Sequence, residues 1–112
     1  MKLASLTTDI IYNEERVAVT VLLDTDFGKE IRIVFRKGQL MKEHKAPFPI
    51  VVEVFEGAID FGVNKEISHL QRGDLIALDS NIPHDLRALE DSIVRLSLNK
   101  SDTIGRVEKV VN

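Results

Sequence analysis

The chain has 112 residues, 44% hydrophobic and 29% charged, with no Cys, no Trp and a formal charge of −3 when its three His are neutral. This length fits one compact domain, residues 1–112, which buries roughly two-thirds of its unfolded surface and needs no staples. Without Cys there is no disulfide, thiolate zinc site, iron–sulfur cluster or cysteine nucleophile, and the acidic balance argues against nucleic acid or a membrane as an electrostatic partner.

The opening MKLASLTTDIIYNEER is broken by Thr7, Thr8 and Asp9, too polar for the apolar region of a signal peptide. No run approaches the roughly 18 apolar residues of a membrane span. The expectation is a cytoplasmic protein. Val17 to Leu23 is apolar on both faces, as in a strand buried on both sides or lying at a subunit contact. Asp24 to Gly28 reads as a turn. Glu30 to Arg36 alternates, with Ile31, Ile33 and Phe35 opposite Arg32 and Arg36, which predicts a half-buried strand. Arg32, Arg36 and Arg95 then share a polar face, where cross-strand Asp or Glu are the ordinary partners and phosphate or carboxylate recognition the sharper alternative.

Lys37-Gly38 is a turn, Leu40 to Lys45 a short polar strand, and Pro47 and Pro49 mark a loop or edge. Ile50 to Phe55 is strand-like, and Ile59, Phe61 and Val63 alternate. Asn64-Lys65 reads as a two-residue hairpin loop. A turn through Gly73 leads to Leu75–Leu78, Asp79-Ser80-Asn81 is a loop, and Ser92 to Leu98 alternates Val94, Leu96 and Leu98 against Arg95 and Ser97. Short strands at close intervals predict an all-β sandwich or barrel. The tail, 101–112, is the exception: Ser101 or Asp102 could cap a helical turn or two over Thr103 to Val110.

The ordered features of the middle are Gly38, His44, Gly57, Gly73 and His84. Five residues separate Gly38 from His44, and Gly73-DLIAL leads through Asp79-Ser80-Asn81 and Ile82-Pro83 to His84. Over about residues 31–98 this pattern resembles the cupin superfamily, and HKAPFPIVVEVFEG is similar to a stretch of some small bacterial cupins. The resemblance implies a jelly-roll β-barrel, to which the tail adds its short C-terminal helix or extended end. Its first motif runs Gly, five residues, His-x-His, a short gap, Glu, six residues, Gly. Here Gly38, His44 and Gly57 match, while Ala46 stands at the second His and Ile50 at the Glu. In the second motif His84 matches, Asp79 replaces a Pro, Asn81 a Gly, and Ala88 the late Asn. Metal-binding cupins use three His and one Glu, of which two positions survive.

Alternation places Lys42, His44 and Ala46 on one face, unless a bulge intervenes. In the barrel that the resemblance implies, His44 and His84 converge inside, with Ile50, Val52, Val54, Leu86 and Leu96 as neighbours. Lys42 reads as a snorkelling surface side chain, with an anion contact at the pocket mouth the sharper alternative. A mostly apolar pocket with few polar groups suits a small molecule.

Three readings compete for the two His. They hold a divalent metal ion, with an unconventional third ligand such as Glu53 or Asp85 after a register change, or Gln39. They act as general acid or base without metal. Or they are polar anchors of a binding pocket, or satisfied structural residues. His69 is expected on the surface.

The leading expectation is a barrel that binds or senses a small molecule, its metal site partly lost and no cofactor firmly required. The alternatives are a metal-dependent enzyme of oxygenase or isomerase type using His44 and His84, and a structural or regulatory dimer. The apolar Val17–Leu23 run and the row Val51, Phe55 predict a homodimer, as the resemblance also does.

Overall fold

A computed structural model describes residues 1–111. Nine strands and one helix follow in chain order: β1 Ala18–Asp24, β2 Gly28–Phe35, β3 Leu40–His44, β4 Ile50–Glu56, β5 Ala58–Val63, β6 Glu66–Gln71, β7 Leu75–Leu78, β8 His84–Ala88, β9 Ser92–Asn99 and α1 Ile104–Val111. They form two antiparallel sheets, ordered β1-β2-β9-β4-β7 and β3-β8-β5-β6. The chain is all-β apart from α1.

Alternation puts one face of each sheet into the space between them. Ile31, Ile33 and Phe35 of β2, Val52 and Val54 of β4, Ile59 and Phe61 of β5, Leu86 of β8, and Val94 and Leu96 of β9 fill it. Each such side chain contributes about 1.5–3 kcal/mol on leaving water, so the core closes the sheets on one another.

Turn chemistry sets the register. Asn64 and Lys65 both take positive φ, 52° and 67°, as a two-residue turn matching strand twist requires, and Val63 pairs with Glu66 across it. Gly57 has φ +91°, and a methyl there would lie 2.2 Å from Ser92 Oγ and 2.5 Å from the Asp91 carbonyl. The bend between β4 and β5 therefore excludes any side chain. Asn81, standing where the resemblance places a Gly, has φ +64°. Asn is among the residues that tolerate this region, so the substitution keeps the loop that delivers His84.

The structure changes several sequence expectations. β1 is an edge strand rather than one buried on both sides. Thr20 and Val21 are exposed, and a bulge falls between Val21 and Leu23. β2 is more than half-buried: Ile31 through Phe35 are all buried. The reason is the segment before β1, whose carbonyls at Thr8 and Asp9 accept from Arg32 at 2.8 and 3.3 Å, so peptide dipoles rather than carboxylates receive that cation. Arg95 does sit 3.1 Å from Glu53 and 3.8 Å from Glu30, the cross-strand arrangement expected, although its Nε makes no well-aligned hydrogen bond. Arg36 lies over the Tyr12 ring and pairs with Glu14 and Asp91.

The tail folds back. Thr103, rather than Ser101 or Asp102, caps α1 by accepting from Arg106 N–H at 3.4 Å. Asp102 is buried and accepts two hydrogen bonds from Arg106, at 2.7 and 2.8 Å. Val107 is buried against the core, and α1 packs on β3 and β1.

Candidate functional site

His44 ends β3 and His84 begins β8, and the two are direct partners across the ladder. Their rings lie with centroids 4.2 Å apart and planes inclined at 60°. His84 is buried and stacks in parallel on Phe61, 5.5 Å away, while His44 is half-buried. The same local device holds both rings. Nδ1 of His44 donates to the Lys42 carbonyl at 2.7 Å, and Nδ1 of His84 donates to the Ile82 carbonyl at 2.8 Å. A carbonyl can only accept, so the hydrogen sits on Nδ1 in each ring, and each Nε2 presents a lone pair.

Burial is the main force on their protonation. It lowers the pKa of His44 to about 4, against a smaller upward pull from the Lys42 carbonyl and Asp85. His84 and Arg106 add to the lowering. His84 is lowered too, by burial first and then by Arg106. Both imidazoles are therefore neutral near pH 7.

The rings open on a cavity between the sheets, lined also by Arg106 and by eight apolar side chains: Ile33, Met41, Ile50, Val52, Leu86, Val94, Leu96 and Val107. Its volume is about 10 Å³, counted over positions open to the centre of a water molecule. That is room for about one water.

Of the residues singled out in the sequence, His44, His84, Ile50, Val52 and Leu86 line this space. Lys42 does not. A bulge between Met41 and His44 breaks strict alternation, so Met41 and His44 turn inward while the Lys42 side chain is exposed and contributes only its carbonyl. Ala46 is buried but lies outside the lining. His69 is exposed and pairs with Asp60 across the β5–β6 ladder.

Arg106 and Val107 were not legible as site residues. The one sequence trace was the Asp102–Arg106 spacing of four, which permits an ion pair along a helix.

A divalent metal of the kind the resemblance implies does not fit these residues. Two imidazole Nε2 atoms are available, but a catalytic ion takes three protein ligands. Ala46 and Ile50 offer no donor atom. Glu53 is engaged by Arg95, Gln39 by Asn13 and Arg36, and Asp85 lies against Gly62 on the face opposite Leu86. No group of three His, Cys, Asp or Glu comes together among the described residues. The remaining polar group at the cavity is a cation, Arg106.

No protein-family model and no curated protein matches the chain. Solved structures do. An RmlC-like cupin protein from Desulfovibrio desulfuricans is similar at TM-score 0.82 and 20% identity, over 89% of this chain and 97% of that one. A conserved protein with a double-stranded β-helix domain from Klebsiella pneumoniae matches at TM-score 0.80 and 16% identity, over 92% and 94%. A conserved protein of unknown function from Streptococcus pyogenes matches at TM-score 0.75 and 22% identity, over 91% and 90%. The likeness at these identities is one of fold, and the fold is that of a small cupin β-barrel.

Proposed function

We propose that this chain is a cupin-fold binding barrel that receives a small polar molecule at His44 and His84 without a metal ion. One observation carries the reading: both rings spend Nδ1–H on a backbone carbonyl and leave two Nε2 acceptors side by side in an apolar cavity. Such a pair takes hydrogen bonds from a hydroxyl, an amine or a water. It is poorly suited to general base catalysis, because a group with a pKa of about 4 is a weak base near pH 7.

Two measurements test this. Untagged protein titrated with zinc, iron(II) or manganese should bind no stoichiometric ion. One equivalent held by the native chain and lost in His44→Ala would replace this reading with the metal-dependent one. Nitrogen-15 imidazole spectra recorded against a panel of small alcohols, amines and acids should show His44 and His84 shifting together, with the response abolished in His44→Ala. Silence across the whole panel would defeat the binding reading.

A second feature supports assembly into a homodimer. Val51 on β4 and Leu75 and Ala77 on β7 form an exposed apolar strip on the outer face of the larger sheet, and Phe27, 87% exposed, stands beside it. Contiguous apolar surface of this kind is usually covered by a partner, and a twofold pair is the commonest way to cover it.

A further inference from the structure

Arg106 narrows the chemistry of the ligand. Every other residue lining the cavity except its neighbour Val107 stands on a strand; these two stand on α1. Arg106 commits Nε and Nη2 to the buried Asp102 carboxylate, and no acceptor meets its Nη1 among the described residues. A guanidinium carries five N–H donors, so three remain. The cavity thus pairs a donor group, which matches a carboxylate, with two imidazole nitrogens that only accept.

A bare carboxylate would satisfy Arg106 and set its lone pairs against those of the imidazoles. A simple alcohol or amine would satisfy the imidazoles and leave the guanidinium, whose side chain is 20% exposed, to water, forgoing a charge-assisted bond. A molecule carrying both groups on a short carbon frame satisfies all three.

The space available when α1 is seated is that of about one water, so such a molecule needs the helix to move. α1 is the wall built for it. It is eight residues long, too short to hold its shape without packing. It is tethered by the buried Val107, by Ile104, Val110 and Val111 packed against the core, and by Lys29, whose Nζ reaches the carbonyls of Lys100 and Asp102 at 2.8 and 2.9 Å.

We propose that the cavity takes a small hydroxycarboxylate, its carboxylate on Arg106 and its hydroxyl donating to His44 or His84, and that α1 swings outward to admit it. This rests on the binding-barrel reading and adds the ligand class. The test titrates glycolate, acetate, glycolamide and ethylene glycol into the full chain, following the His44 and His84 side-chain signals by NMR. Glycolate should bind tightest. Acetate, lacking the hydroxyl, and glycolamide, lacking the charge, should each be weaker by about tenfold, the worth of one lost hydrogen bond.

Arg106→Gln alone would strand a buried Asp102, so the informative variant is Asp102→Asn with Arg106→Gln, checked by its melting curve. It should lose about tenfold in glycolate affinity and keep its affinity for ethylene glycol. Amide exchange in α1 should quicken when glycolate binds, because the seated helix leaves no room for it; exchange unchanged at saturating glycolate would overturn the helix movement. Equal binding of glycolate and glycolamide, or unchanged glycolate affinity in the double variant, would overturn the ligand class. In that case ethylene glycol still shifting both His signals would leave the binding barrel standing. No shift with any of the four probes would overturn this proposal, and the wider panel of alcohols, amines and acids then decides the binding reading separately.

Discussion

At the scale of single residues, His44 gives the clearest pH signature. Its folded pKa of about 4 lies below the ordinary value of 6.5, so the unfolded chain binds protons more readily between those values. Stability is then complete above about pH 6.5 and falls as the pH drops toward about 4. His84 shifts in the same direction and adds to the loss. Thermal melts from pH 4 to 8 should show this slope, and His44→Gln should flatten it; an unchanged profile would mean that neither ring resists protonation. Gly57 supplies a second prediction. Gly57→Ala combines a φ of +91° with a methyl 2.2 Å from Ser92 Oγ, and should cost about 3 kcal/mol by urea denaturation.

At the scale of elements, α1 is decisive, because it walls one side of the space between the two sheets with Arg106 and Val107. Its first turn is pinned by the fork between Arg106 and the buried Asp102, whose side chain is 1% exposed. Removing one partner of such a pair leaves a charge buried without compensation. Arg106→Ala should therefore destabilise by about 3 kcal/mol. The double replacement Asp102→Asn with Arg106→Gln removes both charges and should cost clearly less. A double-mutant cycle by chemical denaturation measures the difference, and simple additivity would show that the pair is not coupled. The β3 bulge matters at the same scale. It turns Met41 and His44 inward together and leaves Lys42 outside with only its carbonyl in use.

At the scale of the molecule, the two sheets differ in how their outer faces are covered. The segment before β1 lies over β1 and β2, with Arg32 holding its carbonyls. The β4–β7 end of that same sheet carries Val51, Leu75 and Ala77 uncovered. A homodimer through this strip should appear in size-exclusion chromatography with light scattering as a mass of two chains at micromolar concentration. Val51→Glu with Leu75→Glu should return it to one chain with its melting curve nearly unchanged. A native chain that already runs as a monomer would remove the dimer from the account.

The barrel was legible from residue order, because alternation, Gly and Asn at turns, and proline-marked breaks are local properties of a strand. The convergence of His44 and His84 came only through the resemblance to cupins, and so did the observation that Ala46 and Ile50 carry no donor atom where that pattern places His and Glu. What lay beyond local pattern was everything that depends on one segment landing on another. The bulge in β3 answers to the register of β8. The burial of Arg32 answers to carbonyls more than twenty residues away. Arg106 reaches the histidines because the tail folds back over β3, which no period within the tail encodes. Patterning within a segment is set by its own side chains; a cavity's last wall is set by what remains to be buried after the sheets have closed.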